Sequence, residues 1–173
     1  PHDVTANGDA HLIGPKVGTS IIHFDGDGDY LSIPDSSDWA IGTNWTAEFW
    51  ANMSPTETDG YIFNHSSGND DLWGIKTVTG NQMRFFIQVG GSNSIDFYSV
   101  ATSGNTWHHF ALVKSGTSWT WYVDGVVSAT TTNSSTTAGF SGPLWMGRAY
   151  LSGTAQNYNG YLGPTRLSDV EHH

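Results

Sequence analysis

The chain has 173 residues, no cysteine, and 16 acidic against six basic residues, which gives a formal net charge of −10. This charge repels nucleic acid and anionic membranes, and no apolar run approaches the roughly 20 residues of a membrane-spanning helix. Without cysteine the fold has no disulfides, and thiol nucleophiles and zinc–cysteine sites are excluded.

In chain order, the pattern predicts short β-strands separated by polar turns, because no stretch keeps a helical period and Gly, Ser and Thr are frequent between apolar runs. The predicted strands are 2–5, 11–13, 21–24, 30–33, 45–53, 61–63, 72–78, 83–89, 94–100, 107–113, 119–123, one from 126, one from 144, and 161–167. The segment 130–138 is predicted as an exposed strand and loop, and 149–158 as a long loop. The prediction is all-β: two antiparallel sheets packed face to face in a single domain, residues 1–170. Residues 171–173 are typical of the start of a purification tag.

Three aspartates alternate between two early strands, at Asp25, Asp27 and Asp29. Carboxylates at alternate positions suit a hard cation, and the spacing matches the first half of an EF-hand loop. Tyr30 and Ser36 stand where that loop needs Gly and Glu, so the EF-hand interpretation fails. Two alternatives remain open: a soluble Gly-Asp turn, or a calcium site of another kind.

The clearest signal runs from residue 104 to 125. Two strands rich in aromatic and β-branched residues flank the polar loop 114–118, and the Asp124-Gly125 turn leads into a third strand. This pattern predicts three consecutive antiparallel strands. His108 and His109 point to opposite faces of the first strand, so they cannot easily share one metal ion.

This stretch resembles the core of the laminin G-like domains of the concanavalin A-like lectin/glucanase superfamily, in which a Trp-x-His-x-Ala-x-Val strand precedes a Tyr-Val-Asp-Gly turn. The matching residues are Trp107, His109, Ala111, Val113 and 122–125, and further matches lie at 24–31, 46–50, 142–148 and 159–162. The resemblance covers roughly 21–169 and implies a concanavalin A-like jelly roll of bacterial or phage type. It also implies that His109 is a hydrogen-bonded structural residue. Relatives carry an acidic pair in the closing strand that can bind calcium, whereas residues 162–166 here have no carboxylate.

Catalysis is not predicted. Glucanases of this fold place Glu and Asp at alternate positions of one strand, but none of Glu48, Glu57 and Glu171 has an Asp two residues on. No serine-hydrolase elbow or zinc-protease motif is present. An enzyme with an unfamiliar carboxylate arrangement stays as a remote alternative.

Binding of carbohydrate is the favoured hypothesis, because sugar rings dock on aromatic faces while polar groups bind their hydroxyls. Aromatic residues in or beside predicted loops are the ligand-binding candidates: Trp39, Trp73, Tyr150 and Tyr158. Polar contacts are expected from Asp70, Asp71 and Arg148. The tryptophans of the strongest strands, Trp50, Trp107, Trp119 and Trp121, are assigned to core or sheet-face packing.

The sequence therefore predicts a non-catalytic carbohydrate-binding or surface-adhesion module of a larger extracellular or phage structural protein. Its expected partner is a carbohydrate or a cell-surface receptor, with no nucleic acid and no membrane insertion, and calcium is the one expected cofactor. A structural or protein-interaction module without a sugar site is the alternative. The expected location is extracellular or on a virion surface.

Overall fold

The computed structural model describes residues 2–13, 20–137 and 140–169, except for the side chains of Leu12 and Ile13. Its strands are β1 (Thr5–Asn7), β2 (His11–Ile13), β3 (Ile21–Asp25), β4 (Tyr30–Ile33), β5 (Asn44–Met53), β6 (Tyr61–Ser66), β7 (Leu72–Val78), β8 (Gln82–Val89), β9 (Ser92–Tyr98), β10 (Trp107–Ser115), β11 (Ser118–Val123), β12 (Val126–Thr132), β13 (Leu144–Met146), β14 (Arg148–Leu151), β15 (Thr154–Asn157) and β16 (Asn159–Ser168). A short 3-10 turn, Ser37–Trp39, is the one helical element within these ranges. No described helix has the length and apolar character to cross a membrane.

Two seven-stranded antiparallel sheets confirm the predicted sandwich. The first sheet has the order β1-β4-β13-β6-β7-β8-β9, and the second has the order β12-β11-β10-β5-β16-β3-β2. The three consecutive strands predicted between 104 and 132 form one edge of the second sheet. Only β13, which comes from far along the chain, separates β4 from β6 in the first sheet.

Alternation along β5 shows how the sequence builds the core. Trp45, Ala47, Phe49, Ala51 and Met53 are buried, while Glu48, Trp50 and Asn52 between them are partly exposed. The Phe49 ring stacks on Phe110 at 5.6 Å between centroids. Each such fully buried side chain stabilises the fold by about 1.5–3 kcal/mol.

The turn between β10 and β11 is tighter than predicted. The strands extend to Ser115 and from Ser118, so the predicted loop 114–118 shrinks to Gly116 and Thr117. Lys114 is buried, and its ammonium donates hydrogen bonds to the carbonyl oxygens of Gly42 and Ser135. Burial lowers the pKa of Lys114, whereas the two carbonyl oxygens stabilise its ammonium group.

Residues 149–158, predicted as a long loop, instead contain the hairpin β14–β15. Its Ala149 and Leu151 pack on Tyr61, Leu72 and Phe86, which face outward from the first sheet, and form a second small core. The prediction was wrong because these apolar residues are few and alternate with Arg148, Tyr150 and Ser152, so no strong strand signal arises.

Candidate functional site

Two of the four predicted ligand-binding aromatics are fully buried core residues. Trp73 lies in β7 with its ring 5.3 Å from that of Trp45, and Tyr158 packs 6.0 Å from the ring of Phe24. The polar group of each side chain forms a hydrogen bond within the protein. The Trp73 indole N–H donates to the Trp39 carbonyl, and the Tyr158 hydroxyl donates to the Asn52 carbonyl. Neither ring presents a face to solvent, so the predicted stacking role fails for these two residues.

Trp39 is also buried, with 7% of its surface exposed. The 3-10 turn directs its ring inward, the indole N–H donates to the Pro34 carbonyl at 3.0 Å, and the His2 ring lies 4.7 Å away. Trp39 lines a cleft of about 1150 Å³ between the sheets, together with core-facing residues such as Leu144 and Met146. A ring covered in this way does not serve as an open stacking surface.

Asp70 and Asp71 have structural contacts. The Asp71 carboxylate accepts a hydrogen bond from the Gly90 N–H at 2.8 Å, and the Asp70 carbonyl accepts one from the Gly91 N–H at 3.0 Å. These bonds fasten the β6–β7 loop to the β8–β9 turn. Neither carboxylate is among the described groups that contact the Arg148 guanidinium.

In contrast, Tyr150 and Arg148, which were both predicted as ligand-binding residues, lie close together. The Arg148 guanidinium lies 4.9 Å from the centroid of the Tyr30 ring and 5.3 Å from that of Tyr150, and Tyr30 contacts Trp145 at 5.7 Å. We call these four residues the ring–cation cluster. Tyr30 and Trp145 were missed, although both alternate with core residues in their strands, which is the signal for an outward-facing side chain.

The aspartate turn forms a different cluster from the one predicted. Ligand oxygens of Asp9, Asp25 and Asp29 lie within 4.8 Å of one another, whereas the Asp27 carboxylate is outside this group. Asp27 instead donates its backbone N–H to Asp25 at 2.6 Å. Asp9 was missed because it comes from the turn after β1, which only the β1–β4 pairing brings beside Asp29.

Asp29 is the centre of that cluster, with 1% of its surface exposed. Its two carboxylate oxygens accept hydrogen bonds from the backbone N–H groups of Asp9 at 2.7 Å and Asp25 at 3.3 Å. A hydrogen bond to Asp29 and repulsion from it raise the pKa of the Asp9 carboxyl. The three carboxylates therefore concentrate negative charge at one point.

A row of rings crosses the outer face of the second sheet. His11, His23, Tyr161, Asn52 and Trp107 are successive cross-strand partners on β2, β3, β16, β5 and β10. Directly opposed residues project to the same face. Neighbouring rings are 6.1 Å apart for His11–His23, 4.7 Å for His23–Tyr161 and 6.5 Å for Tyr161–Trp107. The row spans about 19 Å, from four inter-strand steps of about 4.8 Å, and we call it the ring row.

A shallow groove of about 280 Å³ lies beside the ring row, lined by Glu48, Trp50, His109 and Arg166 among others. The rings of Trp50 and His109 are 5.2 Å apart, and an Arg166 nitrogen lies 3.6 Å from the Glu48 carboxylate. The register of β16 against β5 shifts between Leu162 and Thr165, which places Pro164 on the groove wall. The groove thus combines apolar ring surface with one charge of each sign.

The resemblance implied that the His109 side chain is hydrogen-bonded, but the side-chain hydrogen bonds at this point of β10 belong to His108. Its Nδ1 contacts the Asp124 carboxylate at 2.7 Å and its Nε2 contacts the Ser103 hydroxyl at 3.1 Å. The His109 backbone N–H donates to the other Asp124 oxygen at 2.9 Å. His108 therefore ties β10 to the Asp124-Gly125 turn, and the His109 ring remains on the outer face.

This two-sheet architecture is that of the lectin-like jelly rolls, and the sequence agrees. The Laminin_G_3 family model, described as concanavalin A-like lectin/glucanases superfamily, matches residues 25–171. The chain belongs to this laminin G-like family, which confirms the resemblance of the Trp107 to Gly125 stretch. No curated protein shows significant similarity to it in sequence.

Solved structures with the same fold include binding domains of toxins and one domain of a glycosidase. A botulinum neurotoxin type C structure, from a study of its interaction with two ganglioside molecules, aligns with a TM-score of 0.76 at 13% identity and covers 99% of this chain but 44% of its own. The serotype D binding domain aligns with a TM-score of 0.76 at 13% identity, covering 98% and 44%. Domain 4 of AbnA, an extracellular GH43 arabinanase from Geobacillus stearothermophilus in complex with arabinotriose, aligns with a TM-score of 0.73 at 16% identity, covering 98% and 82%. The chain thus spans less than half the length of the toxin structures.

Proposed function

We propose that the protein is a non-catalytic carbohydrate-binding module and that the ring row is its binding surface. The observation that carries this proposal is the alignment of four rings in one cross-strand row on an otherwise open sheet face. Such a row suits an extended glycan lying across the strands. Each sugar would place its C–H groups on a ring face.

The surroundings of the ring row supply polar partners for the sugar hydroxyls. Asn52 lies between Tyr161 and Trp107, and the Glu48–Arg166 pair lines the adjacent groove. His23, Tyr161 and Trp107 are half-buried, so their side chains are already held by neighbours. Binding on pre-ordered rings loses little side-chain entropy, which favours affinity.

The similar structures support this proposal by analogy. An arabinanase domain of the same fold was solved with arabinotriose, and toxin domains of the same fold belong to proteins studied for ganglioside binding. We propose that this chain likewise acts outside the cell, as one module of a larger protein. Its net charge of −10 favours a neutral glycan on the ring row over a polyanion.

Affinity electrophoresis in gels that contain arabinan, xylan or mixed-linkage β-glucan tests the ring row. At least one polysaccharide should retard the protein, and Trp107→Ala and Tyr161→Ala should each abolish most of the retardation. Tyr98→Ala is the matched control, because Tyr98 is an aromatic residue of the first sheet with 42% of its surface exposed. Equal retardation of Trp107→Ala and the unmodified chain would exclude the ring row. No retardation by any polysaccharide would favour a protein-interaction module.

We also propose that calcium binds at Asp9, Asp25 and Asp29. The three carboxylates suit calcium, because Ca²⁺ binds carboxylate oxygens and a dication would offset the negative charge that Asp29 and Asp25 place beside Asp9. The role would be structural, since β1, β3 and the turn before β4 meet at this point. Ion binding to the folded state alone would raise its thermal stability.

A thermal melt in millimolar calcium against EDTA tests this metal site. We expect a higher midpoint with calcium, a loss of the increase in Asp9→Asn and Asp25→Asn, and its retention in Asp27→Asn, whose carboxylate is outside the cluster. An increase that depends equally on Asp27, or no increase at all, would leave these residues as an acidic turn.

A further inference from the structure

Among the described Lys and Arg residues, Arg148 alone has neither an acidic partner nor a hydrogen-bonded carbonyl. Lys76 pairs with Asp59, Arg84 with Asp96, and Arg166 with Glu48, while Lys114 donates to two carbonyl groups. Among the described residues, no carboxylate lies within 4.0 Å of the Arg148 guanidinium, which contacts the rings of Tyr30 and Tyr150 instead. In a chain with 16 acidic residues, an arginine without an acidic partner marks a position where a ligand can supply the anion.

Three buried polar atoms around Arg148 also lack hydrogen-bond partners among the described residues. They are Nε of Arg148, Oδ1 of Asn157 and Nδ2 of Asn64. Asn157 is the cross-strand partner of Arg148 in the β14–β15 hairpin, and Asn64 is that of Trp145. Directly opposed side chains project to the same face. Asn157 therefore lies on the same side as Arg148, and Asn64 lies on the same side as the Trp145 ring. An unpaired buried polar group costs roughly 1–3 kcal/mol, and a polar ligand would remove that cost.

The ring–cation cluster is supported by packing from below and is exposed to solvent at Tyr150. Ala149 and Leu151 anchor its hairpin in the second small core, and the rings of Tyr30 and Trp145 hold each other. Tyr150 has 49% of its surface exposed, whereas Arg148 and Trp145 are half-buried. Solvent therefore reaches the guanidinium along the Tyr150 ring, which is where a ligand would enter.

We propose that the ring–cation cluster is a second ligand site, specific for a sugar residue that carries a carboxylate. The planar Arg148 guanidinium binds a carboxylate through two parallel hydrogen bonds. The C–H face of the same sugar packs on the Tyr150 ring, and the side-chain oxygen Oδ1 of Asn157 accepts a hydrogen bond from a sugar hydroxyl. The cluster lies on the outer face of the first sheet, so it is separate from the ring row on the second sheet.

Two observations favour an acidic sugar over other anions. The net charge of −10 disfavours densely charged polyanions, which fits a site with one cation for one carboxylate. The three rings offer flat apolar surface beside that cation. A sugar presents such a flat face next to its carboxylate, whereas an acidic peptide presents its carboxylates on flexible side chains.

NMR titration of the whole chain with methyl β-D-glucuronide tests this inference, with methyl β-D-glucoside as the neutral probe of the same shape. We expect the Trp145 indole N–H signal to shift with the glucuronide and affinity to be at least tenfold weaker for the glucoside. Arg148→Gln should weaken glucuronide binding at least tenfold, and Arg148→Lys, which keeps the charge without the two-pronged geometry, should weaken it less. Arg84→Gln is the control, since Arg84 is paired with Asp96.

Equal binding of glucuronide and glucoside, or unchanged binding in Arg148→Gln, would overturn the inference. Tighter Arg148-dependent binding of an acetylated Glu-Glu dipeptide would reassign the cluster to acidic peptides. Trp107→Ala separates the two proposals, because it should abolish retention on neutral polysaccharide and leave glucuronide binding unchanged. If glucuronide binding fails but polysaccharide retardation is observed, only the proposal for the ring–cation cluster is overturned, and the proposal for the ring row is unaffected.

Discussion

The outer face of the second sheet is open, whereas much of the outer face of the first sheet lies under the β14–β15 hairpin. On the open face, His23, Tyr161 and Trp107 stay half-exposed in one row. On the covered face, Tyr61, Leu72 and Phe86 are removed from solvent by Ala149 and Leu151. Both faces carry aromatic residues, so the hairpin decides which of them become core and which remain available to a ligand.

The difference begins at Gly147, where the chain leaves β13 and enters the hairpin. Its φ of 87° lies in the left-handed region that glycine adopts without strain. A side chain here would also overlap the Phe24 ring in the main core. One residue therefore both redirects the chain over the first sheet and allows close packing beneath it.

The largest expected effect comes from Gly147→Ala, which should lower the free energy of unfolding by about 3 kcal/mol. A strained backbone and an overlap with Phe24 both oppose the folded state. Gly153→Ala is the control, because its φ is 79° but open space surrounds the position, and its cost should be about 1 kcal/mol. Urea unfolding measures both, and equal costs would show that the contact with Phe24 contributes nothing.

A second substitution pair compares the covered and open faces directly. Leu72→Ala removes a fully buried side chain from the second small core and should cost about 3 kcal/mol. Tyr161→Ala removes a half-buried ring from the open face and should cost about 1 kcal/mol. If Tyr161→Ala costs as much as Leu72→Ala in urea unfolding, the ring row is structural core and not a free surface.

A smaller, pH-dependent effect comes from His65 in β6, on the inner side of the first sheet. Burial lowers the pKa of His65, and the Asp35 carboxylate 3.6 Å away only partly opposes this. The unfolded chain, with an ordinary pKa of about 6.5, then binds more protons than the folded chain. Stability contributed by His65 is therefore complete above about pH 6.5 and is lost as the pH falls toward the lowered pKa.

Unfolding titrations between pH 7 and pH 5 measure this effect. His65→Asn should reduce the slope of unfolding free energy against pH, while His11→Asn, at an exposed position, controls for the loss of an imidazole. The same slope in His65→Asn and the unmodified chain would contradict the assignment.

The architecture could be predicted from the sequence because strand alternation and turn residues are local signals. The strands of residues 104–132 and the burial of Trp119 and Trp121 agree with the prediction. The hairpin β14–β15 could not be predicted, since its stability depends on Tyr61, Leu72 and Phe86 far away in the chain.

The candidate site was harder to predict because it depends on register between distant strands. Trp39, Trp73 and Tyr158 lie near loop sequences, but the sandwich closes over them. Trp107 and Tyr161 become neighbours only through Asn52, their common cross-strand partner on β5. Asp9 joins Asp29 in the same way, through the pairing of β1 with β4. Composition and spacing along the chain contain no information on such contacts.

The position of β13 also sets an order for folding. Leu144–Met146 is bound on one side by β4 and on the other by β6, strands from the first half of the chain. Without Leu144–Met146, the strands of the first sheet would fall into two groups, β1-β4 and β6 to β9, each with an unpaired edge. Contacts that span so much sequence form slowly. We expect refolding to pass through a state in which β6 to β9 are paired while β4 still exchanges its amide protons, and pulse-labelled hydrogen exchange would detect it.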